Sequence, residues 1–444
     1  MATTLGEVAN WGSGGTPSRS RQEFFGGSIP WIKTGELGPR TIALSEECLT
    51  EEGLASSSAK LFPKGAVAVA MYGATIGKAS ILSVDAATNQ ACAVGTPLAV
   101  TSEFLHYYLV SQAESLAAAG QGGAQPNISQ GIVRSWPLQL PPQREQVRIT
   151  DALDEVLSGN DLAESELFAA KRKLTLYRQS LLKSAVEGTL TAEWRRVARR
   201  STKTLDIPDD WRWSTIGELA TVVRGASPRP AGDPRYFGGS IPWITVGSLT
   251  ADDQMYLTTV EQFVTEAGRD RSRWIDPGTL LLTNSGATLG VPKITKIGGC
   301  INDGSVALLG LDDSLKTYLY WFLRTQTASL RDLNQGAAQP NLNTSIVRGI
   351  RVPVPPPEEM QVICSMAEQQ IEHARSQTEA IDRTLMQASA QRQNILRAAF
   401  SGQLVPQDPN DEPASVLLER IRAQRVASGD RPTARRPRKA KITA

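Results

Sequence analysis

Two long stretches of the chain carry a sustained helical rhythm of apolar and polar positions. From Gln143 to Glu187 there is no proline and a single glycine. Ile149, Leu153, Val156, Asn160, Ala163, Leu167, Ala170, Leu174, Tyr177 and Leu181 follow in steps of four and three. That period predicts one uninterrupted helix with a coiled-coil seam. Its 45 residues would span about 67 Å. Pro142 suits the first turn, and Gly188 is a suitable residue just past the end. Asn160 falls in the seam, where an amide either fixes register or is a solvated polar gap. A second such helix is predicted over 358–401, with Ile371, Ala374, Thr378, Ile381, Leu385, Ala388, Arg392, Ile395 and Ala399 in its seam and Gly402 after it.

The segments ahead of these helices have another texture. GAVAVAMYG at 65–73 and KASILSV at 78–84 are short runs of small or β-branched apolar residues around a glycine-bounded turn, and ACAVGTPLAV reads as a further strand. Residues 102–116 have helical spacing, with Ser102 as the expected N-cap and a glycine-rich loop from Gly120 onward. Residues 1–141 therefore read as a mixed, strand-rich α/β domain.

The same order then returns. FGGSIPWI occurs at 25–32 and again at 237–244, GATIG at 73–77 returns as GATLG at 286–290, and AQPN at 124–127 returns at 338–341. IVR at 132–134 and 346–348 repeats too, as do Ala185/Gly188 and Ala399/Gly402. The chain is one unit written twice. Its expected divisions are a first globular domain over 1–141, a helical spacer over 142–204, and a second globular domain over 205–356. A second spacer with a short amphipathic helix follows over 357–427, then a basic tail over 428–444. The second copy opens with a WRW lead-in at 211–213 that the first copy lacks, so the N-terminal edge of the first domain is expected to differ.

Composition adds mostly exclusions. Hydrophobic residues make up 41% and charged residues 21% of the chain, ordinary values for a globular protein. No apolar run reaches membrane-spanning length, and the start has no secretory pattern, so a cytoplasmic location with no membrane contact is expected. Cys48, Cys92, Cys300 and Cys364 stand far apart and read as buried reduced thiols. His106 and His373 lie singly in predicted helices, which argues against a metal site or histidine catalysis. There is no phosphate-binding loop and no dinucleotide fingerprint, and GATIGK sits between strands and reads as a tight turn. Neither globular domain is basic: eight cations face ten carboxylates over 1–141, and fourteen face fifteen over 205–356. Any nucleic-acid binding must place its charge locally or gain it from a partner.

Two like domains, each followed by a long helix, have a natural solution. The helices pair antiparallel, with the domains related by an approximate two-fold axis. The copies share a framework yet diverge between SIPWI and the glycine turn: KTGELGPRTIALSEECLT against TVGSLTADDQMYLTTVEQ. Reading two different half-sites on duplex DNA would require that combination. In this series of SIPWI, GATIGK, NQ, AQPNIS, PPQREQ and a helix ending EGTLTAEWR, the chain resembles the specificity subunit of type I restriction–modification systems. The resemblance covers nearly the whole chain in both copies. It implies an α+β fold: two target-recognition domains separated by two long antiparallel coiled-coil helices with pseudo-two-fold symmetry. It implies a non-catalytic subunit that reads a bipartite, asymmetric site on double-stranded DNA. It also implies partners, two methyltransferase subunits and restriction subunits. S-adenosylmethionine, ATP and magnesium would belong to those partners, with no cofactor in this chain. A stand-alone bipartite DNA-binding regulator and a coiled-coil adaptor are the alternatives.

Candidate DNA contacts follow from the turns and loops. Tyr72, Thr75, Asn284, Ser285 and Thr288 lie in or beside the glycine turns and could reach base edges. Lys78 and Lys293, just after the turns, read as exposed and able to hold phosphates. Gln125, Asn127, Gln339 and Asn341 carry amides suited to adenine, though asparagine after proline is also an ordinary loop residue. Lys33, Thr34, Thr245, Arg19, Arg21, Arg224, Arg229 and Arg235 complete the set. Trp31 and Trp243 sit in an apolar strand and read as core rather than as base-stacking rings.

Overall fold

The computed structural model describes residues 1–120, 126–198, 207–286, 288–332 and 342–427. Gln125, Gln339, Asn341 and the basic tail lie outside the described residues. The chain divides into two compact units: Met1–Glu166 with Thr384–Ala444, and Leu167–Arg383. Each long helix is continuous, Gln143–Val186 and Pro357–Phe400, so the division falls inside both helices. Each unit thus holds one globular domain and half of each helix.

In the first unit a five-stranded sheet runs in the order 9–13, 92–97, 67–70, 79–82 and 41–42. It is antiparallel except for its last strand, which pairs parallel with Ala79–Leu82. A four-stranded sheet joins 48–49, 25–32, 86–88 and 61–62. The second unit repeats both sheets, with 221–224, 305–309, 280–283, 292–295 and 256–257 in one and 263–264, 237–244, 299–301 and 273–275 in the other. The repeated octapeptide is therefore the same strand twice, and its two glycines have separate jobs. Gly26 and Gly238 adopt φ of 84° and 83°, where the strand pairing slips register. A Cβ on Gly27 or Gly239 would meet a backbone oxygen of the neighbouring strand at 2.3 Å. Trp31 and Trp243 are buried and meet Phe25 and Phe237 edge to face, so both are core.

The helix after the third large strand spans Ser102–Ser111, and its cap is Thr101, whose hydroxyl accepts from the Phe104 N–H. Ser102 instead donates to the Gly65 carbonyl at 2.7 Å. Against the expectation of buried thiols, Cys48 is partly exposed, while the other three cysteines are buried. His106 is buried in this helix, and burial, then Arg40 and Arg392, pushes its ring down to about 4. No group of three or more metal-binding side chains occurs among the described residues. No helix among them is long and apolar enough to cross a membrane.

Within each unit the two helix segments run antiparallel. In the first, Ile149, Leu153 and Leu157 share a core with Leu396 and Ala399, and Asp161 pairs with Arg392. In the second, Lys171 pairs with Asp382 and Tyr177 donates to Gln370, ahead of a core joining Leu181 and Ala185 to Ile363 and Ala367. The seam of the second long helix follows its spacing at Ile371, Ala374 and Ala399, which are buried, but near its end Leu396 is buried and the expected Ile395 only partly so. The first seam differs in phase: Leu157 is buried and Val156 is 42% exposed. A step of four from Leu153 replaces the step of three, because the helix packs in its own unit at 3.6 residues per turn rather than under a heptad supercoil. Apolar burial is concentrated near the helix ends, and the middle is held by ion pairs across half-buried positions.

Ala192–Val197 is helical, and Arg195 is 1% exposed, paired with the fully buried Glu359. Thr191 and the Trp211 indole also donate to Glu359, at 2.5 and 3.0 Å. The Arg195 guanidinium donates in addition to the Gly188 carbonyl at 2.5 Å. One carboxylate thereby ties the end of the first long helix, the lead-in strand and the start of the second long helix. The C-terminal helix Ala414–Ala427 packs on the first domain, with Arg422 on Glu7 at 2.8 Å and Arg425 on the Gly6 and Ala9 carbonyls.

Candidate nucleic-acid interface

The glycine turns are built alike. Gly73 and Gly77 take φ of 62° and 84°, and Gly286 and Gly290 take 75° and 80°, so each turn reverses through two left-handed positions. The closing hydrogen bonds match: Gly77 N–H donates to Ala70 and Gly290 N–H to Thr283. In the first unit the turn meets the QPN loop directly. Gly73 N–H donates to the Pro126 carbonyl at 2.9 Å, Ile128 N–H donates to Met71, and Tyr72 bridges to Asn127. Tyr72, Asn127 and Lys78 are exposed, and the Thr75 hydroxyl donates to the Tyr72 carbonyl at 2.8 Å. The exposed side chains of turn and loop are thus an aromatic ring, an amide and an ammonium group, suited to stacking, base-edge hydrogen bonding and phosphate binding respectively.

A second group lies on the four-stranded sheet. Arg19 sits over the Phe25 and Trp31 rings at 4.9 Å and pairs with Glu47 at 2.5 Å. Lys33 reaches the same carboxylate at 2.9 Å and Glu46 at 3.4 Å. Hydrogen bonds from Arg19, then Lys33, hold Glu47 below the usual carboxylate range. Arg21 lies over Phe24 and pairs with Glu23 at 2.7 Å. Thr34 opens a short 3-10 turn and is half-buried.

In the second unit Asp303 is the organising residue, and sequence reasoning missed it. Arg224 donates to its carbonyl at 2.9 Å and Ser227 to its carboxylate at 2.6 Å, while Arg229 lies 3.5 Å away. Asn284 donates to the same carbonyl at 3.3 Å and is buried, with its side-chain oxygen unpartnered among the described residues. Asn284 also accepts, through its backbone carbonyl, from Leu342 N–H, so turn and following loop meet here too. A cleft of about 690 Å³ opens beside Arg229, Trp243 and Asp303. Ser285 and Thr288 are partly exposed in the turn, where the Thr288 carbonyl accepts from Thr283 at 2.5 Å. Arg235 is exposed and pairs locally with Asp233 at 2.6 Å. Thr245 is half-buried as the cap of the helix Val246–Thr250.

Two expectations fail. Lys293 is not exposed: it is 1% accessible, and its ammonium donates to the Asp252 carboxylate and, at 3.0 Å, to the Asp252 carbonyl. It lies in the strand Pro292–Thr295, whose four residues are all buried, and the repeat register pairs Lys78 with Val291 instead. Asn284 is not at the surface of its turn either: it is fully buried, with one amide N–H donating to the Asp303 carbonyl. A signal for Asp303 was present, since Asn302-Asp303-Gly304 is a turn sequence between apolar runs, but its partners are 19 to 79 residues away in sequence.

Comparison with known proteins bears on both units. The family model of the type I restriction modification DNA specificity domain matches residues 1–169 and 208–381, once per copy. The EcoDI specificity subunit of Escherichia coli is 24% identical over 370 residues, covering 77% of this chain and 80% of that protein. The EcoKI specificity subunit of Escherichia coli is 23% identical, covering 92% and 91%. A solved chain from work on complex assembly and conformational transition of the type I R-M system superposes with a TM-score of 0.67. It has 18% identity and covers 91% of this chain and 98% of its own, a likeness of fold. With its recognition scaffold matched twice in one chain, the protein belongs to the type I restriction modification DNA specificity family.

Proposed function

We propose that the chain reads a bipartite, asymmetric site on double-stranded DNA, one half-site per unit, and directs partner subunits to it. The observation that carries this reading is the duplicated scaffold with divergent contact groups. The same glycine turn presents Tyr72 and Lys78 in one unit and Ser285 and Val291 in the other, and Asp303, which Arg224 and Arg229 engage, stands where the first unit has Gln90. Exposed arginines and lysines position the backbone, and turn side chains read base edges. In the first unit Arg19 and Lys33 share Glu47, so duplex phosphates compete for cations already arranged at the surface.

Methyl transfer and cleavage are assigned to partners: two methyltransferase subunits, with S-adenosylmethionine, and restriction subunits, with ATP and magnesium. The near-neutral domains support this division, because phosphate neutralisation sufficient for tight binding has to be shared. Such a complex works in the cytoplasm. The purified chain with S-adenosylmethionine and DNA is expected to transfer no methyl groups, and its DNA affinity should rise at least tenfold once a methyltransferase subunit is added. Methyl transfer by the single chain, or tight site-specific binding without any partner, would favour a one-chain modification enzyme or a stand-alone regulator instead.

A further inference from the structure

Compared residue by residue, the two four-stranded sheets differ in what lies over their aromatic floor. Matching hydrogen bonds and strand pairs fix the comparison. Trp31 N–H donates to the Glu47 carbonyl and Trp243 N–H to the Gln262 carbonyl, while Pro30 pairs with Cys48 and Pro242 with Phe263. Thr16 bonds to Gln90 as Ser227 bonds to Asp303. In the first unit the Arg19 guanidinium lies over the Phe25 and Trp31 rings, held by Glu47. Lys33 pairs with Glu46 and Glu47 beside it.

The second unit lacks both cations. Thr245 stands at the position of Lys33, and no arginine or lysine lies over the Phe237 or Trp243 ring among the described residues. Gln262, exposed and neutral, replaces Glu47, and Phe263, 39% exposed, replaces Cys48. Glu261 keeps the carboxylate of Glu46 but pairs with no cation among the described residues. The outcome is the cleft of about 690 Å³, walled by Phe237 and Phe263 over Trp243, with Glu261, Gln262 and Asp303 along it. Its volume is in the range of small-ligand sites.

We propose that this cleft receives a base unstacked from the bound DNA, one that carries an exocyclic amino group, as cytosine does. The inference rests on the reading of the second unit as a DNA reader. Aromatic walls suit the flat face of a base, and stacking on them offsets the cost of leaving the duplex. The polar groups select among bases. Glu261 and Asp303 carboxylates only accept, and Gln262 offers one carbonyl beside one amide nitrogen. Carboxylates accept from the cytosine amino group, whereas thymine would turn carbonyl oxygens toward them. Arg229, which also lines the cleft and is 72% exposed, supplies a cation for the phosphate of the same nucleotide. A guanidinium is the poorer occupant, because the carboxylate that holds Arg19 in the first unit is a neutral amide here.

The test measures binding of the full-length chain, by fluorescence anisotropy at low salt, to short duplexes that differ at one position. One duplex is fully paired, one carries a single unpaired cytosine and one a single unpaired thymine. An unpaired base costs less to extrude, so the cytosine duplex should bind about tenfold more tightly than the paired one, and the thymine duplex little more than the paired one. Ala231→Arg, at an exposed position lining the cleft, should cover the rings as Arg19 does, and Phe263→Ala should remove a wall. Both should erase the preference for unpaired cytosine, and Ala231→Arg should leave the melting temperature unchanged. Duplexes bound alike, or a preference that survives both substitutions, would overturn the cleft alone. No duplex bound at all would overturn the DNA reading on which it rests. Free deoxycytidine monophosphate or an arginine-bearing peptide binding as tightly as the cytosine duplex, and displacing it, would assign the cleft to that ligand and overturn the DNA base.

Discussion

Arg195→Ala is expected to destabilise the second unit by about 3–5 kcal/mol, the cost of leaving a buried partner charge uncompensated. The arginine is 1% exposed and Glu359 is fully buried, so water cannot replace the lost cation. The loss reaches further than one ion pair. Glu359 also accepts from Thr191 and Trp211, and Arg195 closes the carbonyl of Gly188 at the helix end. Arg195→Lys should recover only part of the loss, since an ammonium group cannot serve Glu359 and Gly188 in the planar fork that the guanidinium uses. Urea unfolding followed by circular dichroism checks this. A midpoint within error of the unchanged protein would show that the pair contributes nothing net. The first unit should keep its own transition, because it lacks the counterpart arginine.

Seven residues inserted into each long helix, after Glu166 in one and after Met386 in the other, should lengthen the gap between the two half-sites. Both helices run uninterrupted across the boundary between the units, and both insertion points lie where side chains are exposed. Seven residues add about 10 Å of rise and nearly two whole turns, which preserves the faces that pack in each unit. At about 3.4 Å per base pair the gap should grow by about three base pairs, with both half-site sequences unchanged. A single insertion at Thr191–Trp194 is a poorer design, because it would draw Arg195 away from Glu359. Mapping of methylated sites reads the result directly. An unchanged gap would mean that the helices tether the domains without setting their spacing.

Much of this architecture is legible in the sequence, for reasons that differ by element. The octapeptide at 25–32 and 237–244 is legible because its glycines answer local demands, a left-handed residue and a close strand neighbour, that recur wherever the strand recurs. The second helix seam is legible because small residues at Ala374, Ala388 and Ala399 admit a close neighbour whatever its identity. The first seam slipped by one residue because Val156 and Leu157 are both apolar, and only packing decides which turns inward. Charged side chains were the hardest to place. Arg195 and Lys293 look like surface cations in sequence and are buried, each by one carboxylate that is 164 and 41 residues away. Glu47 was invisible as a site residue, and Asp303 showed no more than a turn sequence, for the converse reason: a lone carboxylate shows no purpose until the arginines and lysine around it are folded into place.

The central claim is that each unit reads its own half of one DNA site. Its most direct test is to map methylated sequences in a host carrying this chain and its partner subunits. The same map is then made with residues 1–141 exchanged for the corresponding domain of another specificity subunit. The account predicts a bipartite, asymmetric methylated site that is absent without the gene, and an exchange that rewrites one half while the other half stays as it was. A site that changes in both halves together, or methylation indifferent to this chain, would contradict it.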